Sequence, residues 1–232
     1  HPSAVFVPAI MAEAEDLGLS GAAMLRAYVA GYETWAELSL RERGSLHGKG
    51  WHPTGIWGAV GAAAACAALR GLDAEKATMA VALGASMSAG IMANFGTMTK
   101  PFHAGRAAQA GLLAARLAEA GFTASPDAIE HPQGLLSAVS PKGETDRAAQ
   151  GLGERWRLAE EGLNIKKFPM CYCAHRAIDS LLALRQQRCL DPDDIEGITA
   201  HIGERFTTVL RNHAPKTGLE AKFSAEFAMA SA

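Results

Sequence analysis

The chain has 232 residues, 20% of them charged, and a formal net charge of −2. That length can bury a sizeable core, and the charge balance argues against a nucleic-acid or membrane-surface partner. Aromatic residues make up only 6% while glycine and alanine are abundant, a balance that favours closely approaching helices over aromatic-packed sheets.

The segment after Ser3 reads as a helix to about residue 15, with Ser3 as its cap and Pro8 early enough to be tolerated. Gly18-Leu19-Ser20-Gly21 is a break. Residues 22–40 follow as a second helix with Met24, Tyr28, Gly31 and Trp35 at helical spacing. A basic connection containing Arg41, Arg43, His47 and Lys49 reads as solvated surface. Thr54 is placed to cap a helix over 55–70, whose apolar run 55–69 falls short of the roughly 20 residues of a membrane span. It therefore predicts a buried helix. Asp73 is the expected cap of a helix over 74–93, and a further helix is expected over 104–121. Pro126, Pro132 and Pro141 divide residues 122–165 into loops and short helices. Beyond residue 165 a helix over 174–189, capped near Cys173, precedes residues 195–204, which alternate like a strand. The fold class expected is mainly α. A large helical-bundle domain (1–165) is followed by the start of a smaller α/β domain (166–232).

The four cysteines (Cys66, Cys171, Cys173, Cys189) lack the spacing of a secreted disulfide framework, which points to a reducing, cytoplasmic compartment. Cys171, Cys173 and His175 carry ligand-type atoms, but no second Cys/His pair follows at ligand spacing, so no metal is expected. A chain that opens on His1 and stops at Ala232 inside a helical pattern is expected to be an internal piece of a longer protein.

The densest polar signal is Gly96-Thr97-Met98-Thr99-Lys100-Pro101-Phe102-His103-Ala104-Gly105, which interrupts an alanine-rich region where a helix begins. Pro101 suits a first helical turn, which puts Lys100 at a helix N-terminus, where backbone N–H groups already favour an anion. With Thr97 and Thr99 as donors and His103 as a titratable ring, the spot suits a carboxylate. The competing reading is a loop whose hydroxyls satisfy helix caps. His1-Pro2-Ser3 and His52-Pro53-Thr54 each place a histidine just before a Pro-plus-cap helix start, where the dipole favours a neutral imidazole able to act as a base. His175 also falls near a helix start, and Lys167 lies at the expected domain junction as a further carboxylate contact.

Together these islands resemble the MmgE/PrpD family, which includes 2-methylcitrate dehydratases, cis-aconitate decarboxylases and iminodisuccinate epimerases. The resemblance is carried by residues 1–3, 50–69, 71–73, 96–105, 167–179 and 222–228, in the family's order along the whole chain. It implies a helical domain with a smaller α/β lid, a homodimer, and a cofactor-independent site that acts on a small di- or tricarboxylate. His1, His52, Lys100 and His175 match residues implicated in the site of the decarboxylase-like members. Phe227 stands where the decarboxylase has a tyrosine, so a hydroxyl that could donate a proton is absent. The implied activity is that of a lyase or isomerase abstracting a proton α to a carboxylate, in the manner of 2-methylcitrate dehydratase. A decarboxylase or epimerase outcome, or a non-catalytic module retaining the fold, are the alternatives.

Overall fold

The computed structural model describes residues 1–42, 45–140, 149 and 151–232, so Arg43 and Pro141 lie outside the described residues. The described residues are mainly α-helical, and the β-type pairings among them are two isolated bridges, Trp51–Ile91 and Arg211–Ser224. None of the described helices is long and apolar enough to cross a membrane. Contacts divide the chain into two units: residues 1–93 with 100–163, and residues 94–99 with 164–232.

In the first unit α1 (Pro2–Leu17) and α2 (Gly21–Arg41) are separated by Gly18, which ends α1 at φ +63°, and by Ser20, whose hydroxyl caps α2. The short α3 (Ser45–Gly48) leads to α4 (Pro53–Leu69), α5 (Ala74–Ser86) and α6 (Thr99–Glu119). Nearly every residue of α4 is buried, as its uniformly apolar sequence requires. Its surface is glycine and alanine, so neighbouring backbones come very close. A Cβ on Gly31 of α2 would lie 2.8 Å from the Gly61 carbonyl oxygen, and one on Gly111 of α6 would lie 2.5 Å from the Ala63 nitrogen. Val5, Phe6 and Ile10 of α1 fill the same core, where Phe6 meets Tyr28 and Trp35 edge to face.

Several boundaries differ from the sequence expectation, for physical reasons. Ser3 and Thr54 are not caps: His1 and His52 are the N-cap residues, because each following proline takes the first helical position, where a missing N–H costs nothing. The Ser3 hydroxyl instead pairs with the Tyr28 hydroxyl at 2.8 Å. The Asp73 carboxylate does cap α5, accepting from Lys76 N at 2.8 Å. That helix stops at Ser86 rather than at residue 93. The Ser88 hydroxyl engages the Gly84 and Ile56 carbonyls, and the chain turns back to bond with residues 50–52. α6 begins five residues earlier than expected, at Thr99.

The buried carboxylates described in this unit, Glu13, Glu33 and Glu37, are paired. Glu13, fully buried on α1, accepts from Arg70 and from Arg116, the latter at 2.6 Å. Burial alone would raise its pKa, but hydrogen bonds from Arg116 and Arg70 hold it below the usual carboxylate value. Glu33 of α2 caps α8 (Arg157–Glu161) through two backbone N–H groups, after the brief α7 (Leu135–Val139).

The second unit centres on α9 (His175–Arg188), packed against α12 (Ala225–Ala230), with the single turns α10 (Glu204–Thr207) and α11 (Gly218–Ala221) between them. α9 starts one residue later than expected, after a 3₁₀ turn at Tyr172–Ala174. Residues 94–99 belong here: Phe95 stacks near Phe223 at 5.3 Å and its carbonyl accepts from Arg211 at 3.1 Å. Residues 195–203 form no strand, since none of the described residues pairs with that segment; part of it borders a cavity of about 340 Å³ beside α9.

Candidate functional site

The His-Pro-Thr segment is held in place by its backbone. His52 N–H donates to the Gly90 carbonyl at 3.0 Å, and the His52 carbonyl accepts from Gly55 and Ile56 as the first turn of α4 closes. Met92 N–H donates to Gly50 O at 2.7 Å, so residues 50–52 and 90–92 run as a minimal antiparallel ribbon. Two glycines make that possible. A Cβ on Gly55 would lie 2.1 Å from the Ala89 carbonyl oxygen. Gly90 sits at φ +132°, a conformation L side chains rarely adopt, and a Cβ there would press on the His103 ring at 3.2 Å.

His52 caps α4 with its backbone, not with its side chain. Its Nδ1 lies 3.0 Å from Nδ1 of His103, one turn into α6, and both rings are buried. Burial first, then the Lys100 charge, with His103 and His47 adding, pushes the His52 pKa down to about 3. His103 is lowered by the same two main causes, burial and Lys100. Both imidazoles are therefore neutral near pH 7. The sequence argument expected a neutral His52 from the helix dipole; the direction agrees, but burial and Lys100 supply it.

This has a consequence for stability. A histidine whose folded pKa lies below its unfolded value contributes stability that is complete above about pH 6.5 and lost as pH falls toward the folded value. Between pH 7.5 and pH 4.5 His52 should account for roughly 2–3 kcal/mol of lost stability. Urea unfolding at the two pH values should show that difference shrinking in His52→Asn. An identical difference in both proteins would contradict the assignment.

Lys100 sits in the first turn of α6, within electrostatic reach of both rings. His1, exposed, is the N-cap of α1. The structure thus brings His52, His103 and Lys100 together in the first unit. Thr97 and Thr99 pack with the second. Thr97 Oγ1 donates to the Asn94 carbonyl at 2.8 Å and accepts from Thr99 N–H at 3.2 Å, the local turn-forming role that was the competing reading. Lys167 pairs with Asp179 at 2.6 Å, both well exposed.

His175 is the first residue of α9, only 5% exposed, with Phe168 and Tyr172 rings about it at 5.2 and 5.1 Å. Its Nε2 is buried and has no hydrogen-bond partner among the described residues. A buried imidazole nitrogen left unsatisfied costs stability. Phe227, half exposed on α12, borders an apolar cavity of about 350 Å³ with Phe168 and Lys222. Among the described residues no group of three His, Cys, Asp or Glu is disposed to hold a metal ion.

Sequence reasoning missed the two glycines and the histidine pair. A glycine run over 84–96 was the available signal for Gly90, but a missing side chain gives no hint of which ring will cover it.

The MmgE/PrpD N-terminal domain model matches residues 1–148, and the MmgE/PrpD C-terminal domain model matches residues 168–232. Human cis-aconitate decarboxylase is 31% identical over 206 residues, covering 84% of this chain and 42% of the relative. The Aspergillus terreus cis-aconitate decarboxylase is 26% identical over 229 residues, 92% of this chain and 46% of the relative. The mouse cis-aconitate decarboxylase is 29% identical over 213 residues, 87% and 43%. The chain thus spans less than half the length of these relatives. With both domain models matched in order, the chain belongs to the MmgE/PrpD family.

Proposed function

We propose that the full-length protein is a lyase that moves a proton at a carbon next to a carboxylate of a small tricarboxylate. The observation that carries this reading is the buried, neutral His52–His103 pair beside Lys100. A carbon α to a carboxylate is a very weak acid, so the site must supply an uncharged base and a cation for the developing negative charge. His52 is the base and Lys100 the anchor for the carboxylate, helped by the N-terminus of α6. By the family resemblance, His175 and His1 are the further proton carriers. Thr97, Thr99 and Lys167 are lesser contacts; the Thr97 hydroxyl and the Lys167 ammonium already have local partners. The family resemblance supports a cofactor-independent, homodimeric enzyme, and the cysteine pattern supports a reducing, cytoplasmic compartment.

What leaves after proton transfer defines the reaction. The decarboxylase names of the relatives favour loss of carbon dioxide. The absent hydroxyl at Phe227 counts against the decarboxylase outcome and leaves loss of water, the dehydratase outcome, as the other reading. Incubating the full-length protein separately with cis-aconitate and 2-methylcitrate, and following carbon dioxide release and double-bond absorbance, separates the two. Conversion of one of them is expected; inertness toward both and toward related di- and tricarboxylates would sink the reading.

A further inference from the structure

The contact between His52 and His103 joins Nδ1 to Nδ1 at 3.0 Å, and such a bond holds one proton. When it sits on His52, His103 accepts; when it sits on His103, His52 accepts. Because Nδ1 is occupied by this bond, Nε2 is the nitrogen through which His52 exchanges a proton with anything else. The position of the shared proton therefore decides whether His52 Nε2 is a base or an acid.

We propose that His103 is a positioning residue that takes the Nδ1 proton of His52 while His52 Nε2 takes a proton from the substrate. This rests on the proposed function. In that step the substrate C–H bond breaks and its electron pair stays on carbon, facing the Lys100 charge. The proton bonds to His52 Nε2, the His52 Nδ1–H bond breaks with its electron pair returning to the ring, and a new N–H bond forms on His103 Nδ1. His52 ends neutral and His103 ends as the imidazolium. The reverse movement returns the proton to the opposite partner of the reaction.

Three observations support the relay. Gly90 fixes both members, accepting from the His52 backbone while its bare Cα lies against the His103 ring. Lys100, His103 and His47 all oppose a charge on His52, and burial opposes it most. His103 is 9% exposed against 3% for His52, so a cation is better solvated on the outer ring. A bound carboxylate at Lys100 would offset the second of the two causes that keep both rings neutral, so the pair would accept a proton more readily with substrate in place.

The test uses the full-length protein with His103→Asn and His103→Ala. Asn can still hydrogen-bond His52 Nδ1 but cannot take its proton. Relay predicts that His103→Asn keeps KM within about twofold and loses about 100-fold in kcat. The acidic limb of its kcat–pH profile should also be displaced. Recovery of kcat and an unchanged profile in His103→Asn, with loss only in His103→Ala, would overturn the relay and leave a purely structural contact. Nitrogen-15 NMR of the unliganded protein should show two coupled imidazole titrations that become one altered titration in His103→Asn. Turnover by a protein whose histidines titrate independently overturns the relay alone. Coupled histidines in a protein that turns over no polycarboxylate overturn the proposed function, and the relay with it.

Discussion

Replacing Lys100 with Ala in the full-length protein should lower kcat/KM for its polycarboxylate by about 10²–10³-fold, the scale of losing one preorganised charge at a developing anion. The variant should remain folded, because a cation in the first turn of a helix opposes the dipole rather than supporting it. The same substitution should shift the pH dependence in a defined direction. Lys100 lowers the proton affinity of His52 and His103, so its removal raises both, and the acidic limb of the rate profile should move to higher pH. Lys100→Arg retains the charge and should leave that limb near its original place while losing part of the rate, because the guanidinium fork does not superpose on an ammonium. Steady-state kinetics across pH, with circular dichroism to confirm folding, reads every one of these outcomes. Wild-type turnover in Lys100→Ala would remove Lys100 from the site.

The second large effect concerns two glycines of one helix that should respond with opposite sign. An interior helical Gly→Ala change normally stabilises by about 1 kcal/mol. Gly105 of α6 has open space where a Cβ would go, so Gly105→Ala should follow that rule. Gly111, less than two turns later, has none: a Cβ would lie 2.4 Å from Ala62 Cβ and 2.6 Å from the Ala62 carbonyl carbon. These are short, rigid or main-chain atoms that cannot rotate away, so α4 and α6 must separate. Overpacking of this kind costs about 3 kcal/mol or more, which outweighs the propensity gain. Denaturant unfolding should find Gly111→Ala destabilised by that margin and Gly105→Ala stabilised. Equal effects at the two positions would contradict the close approach of these helices.

The helical character of the chain was legible because periodicity and capping residues are local signals. Asp73 and Ser20 act as caps through their own side chains, and the break at Gly18 follows from its positive φ. The failures involve information carried elsewhere. The end of α5 at Ser86 depends on hydrogen bonds from Ser88 and on pairing of residues 90–92 with 50–52, which no local pattern encodes. Residues 195–204 alternate as a strand should, yet alternation specifies a face and not a partner. Of the candidate site, the residue types were readable but their roles were not. His103 was read as a substrate contact; its bond to His52 could not be read, because it depends on how the start of α4 meets α6. The hydroxyls of Thr97 and Thr99 looked like anion donors, whereas the Thr97 hydroxyl serves a turn.

Proton exchange in deuterated water tests the central claim most directly. The full-length protein, mixed with cis-aconitate, 2-methylcitrate and related polycarboxylates, should place deuterium at a carbon next to a carboxylate, in recovered substrate or in product, as seen by proton NMR. Lys100→Ala should not. Absence of exchange with every member of the series, or equal exchange by the wild type and Lys100→Ala, would contradict proton abstraction at this site.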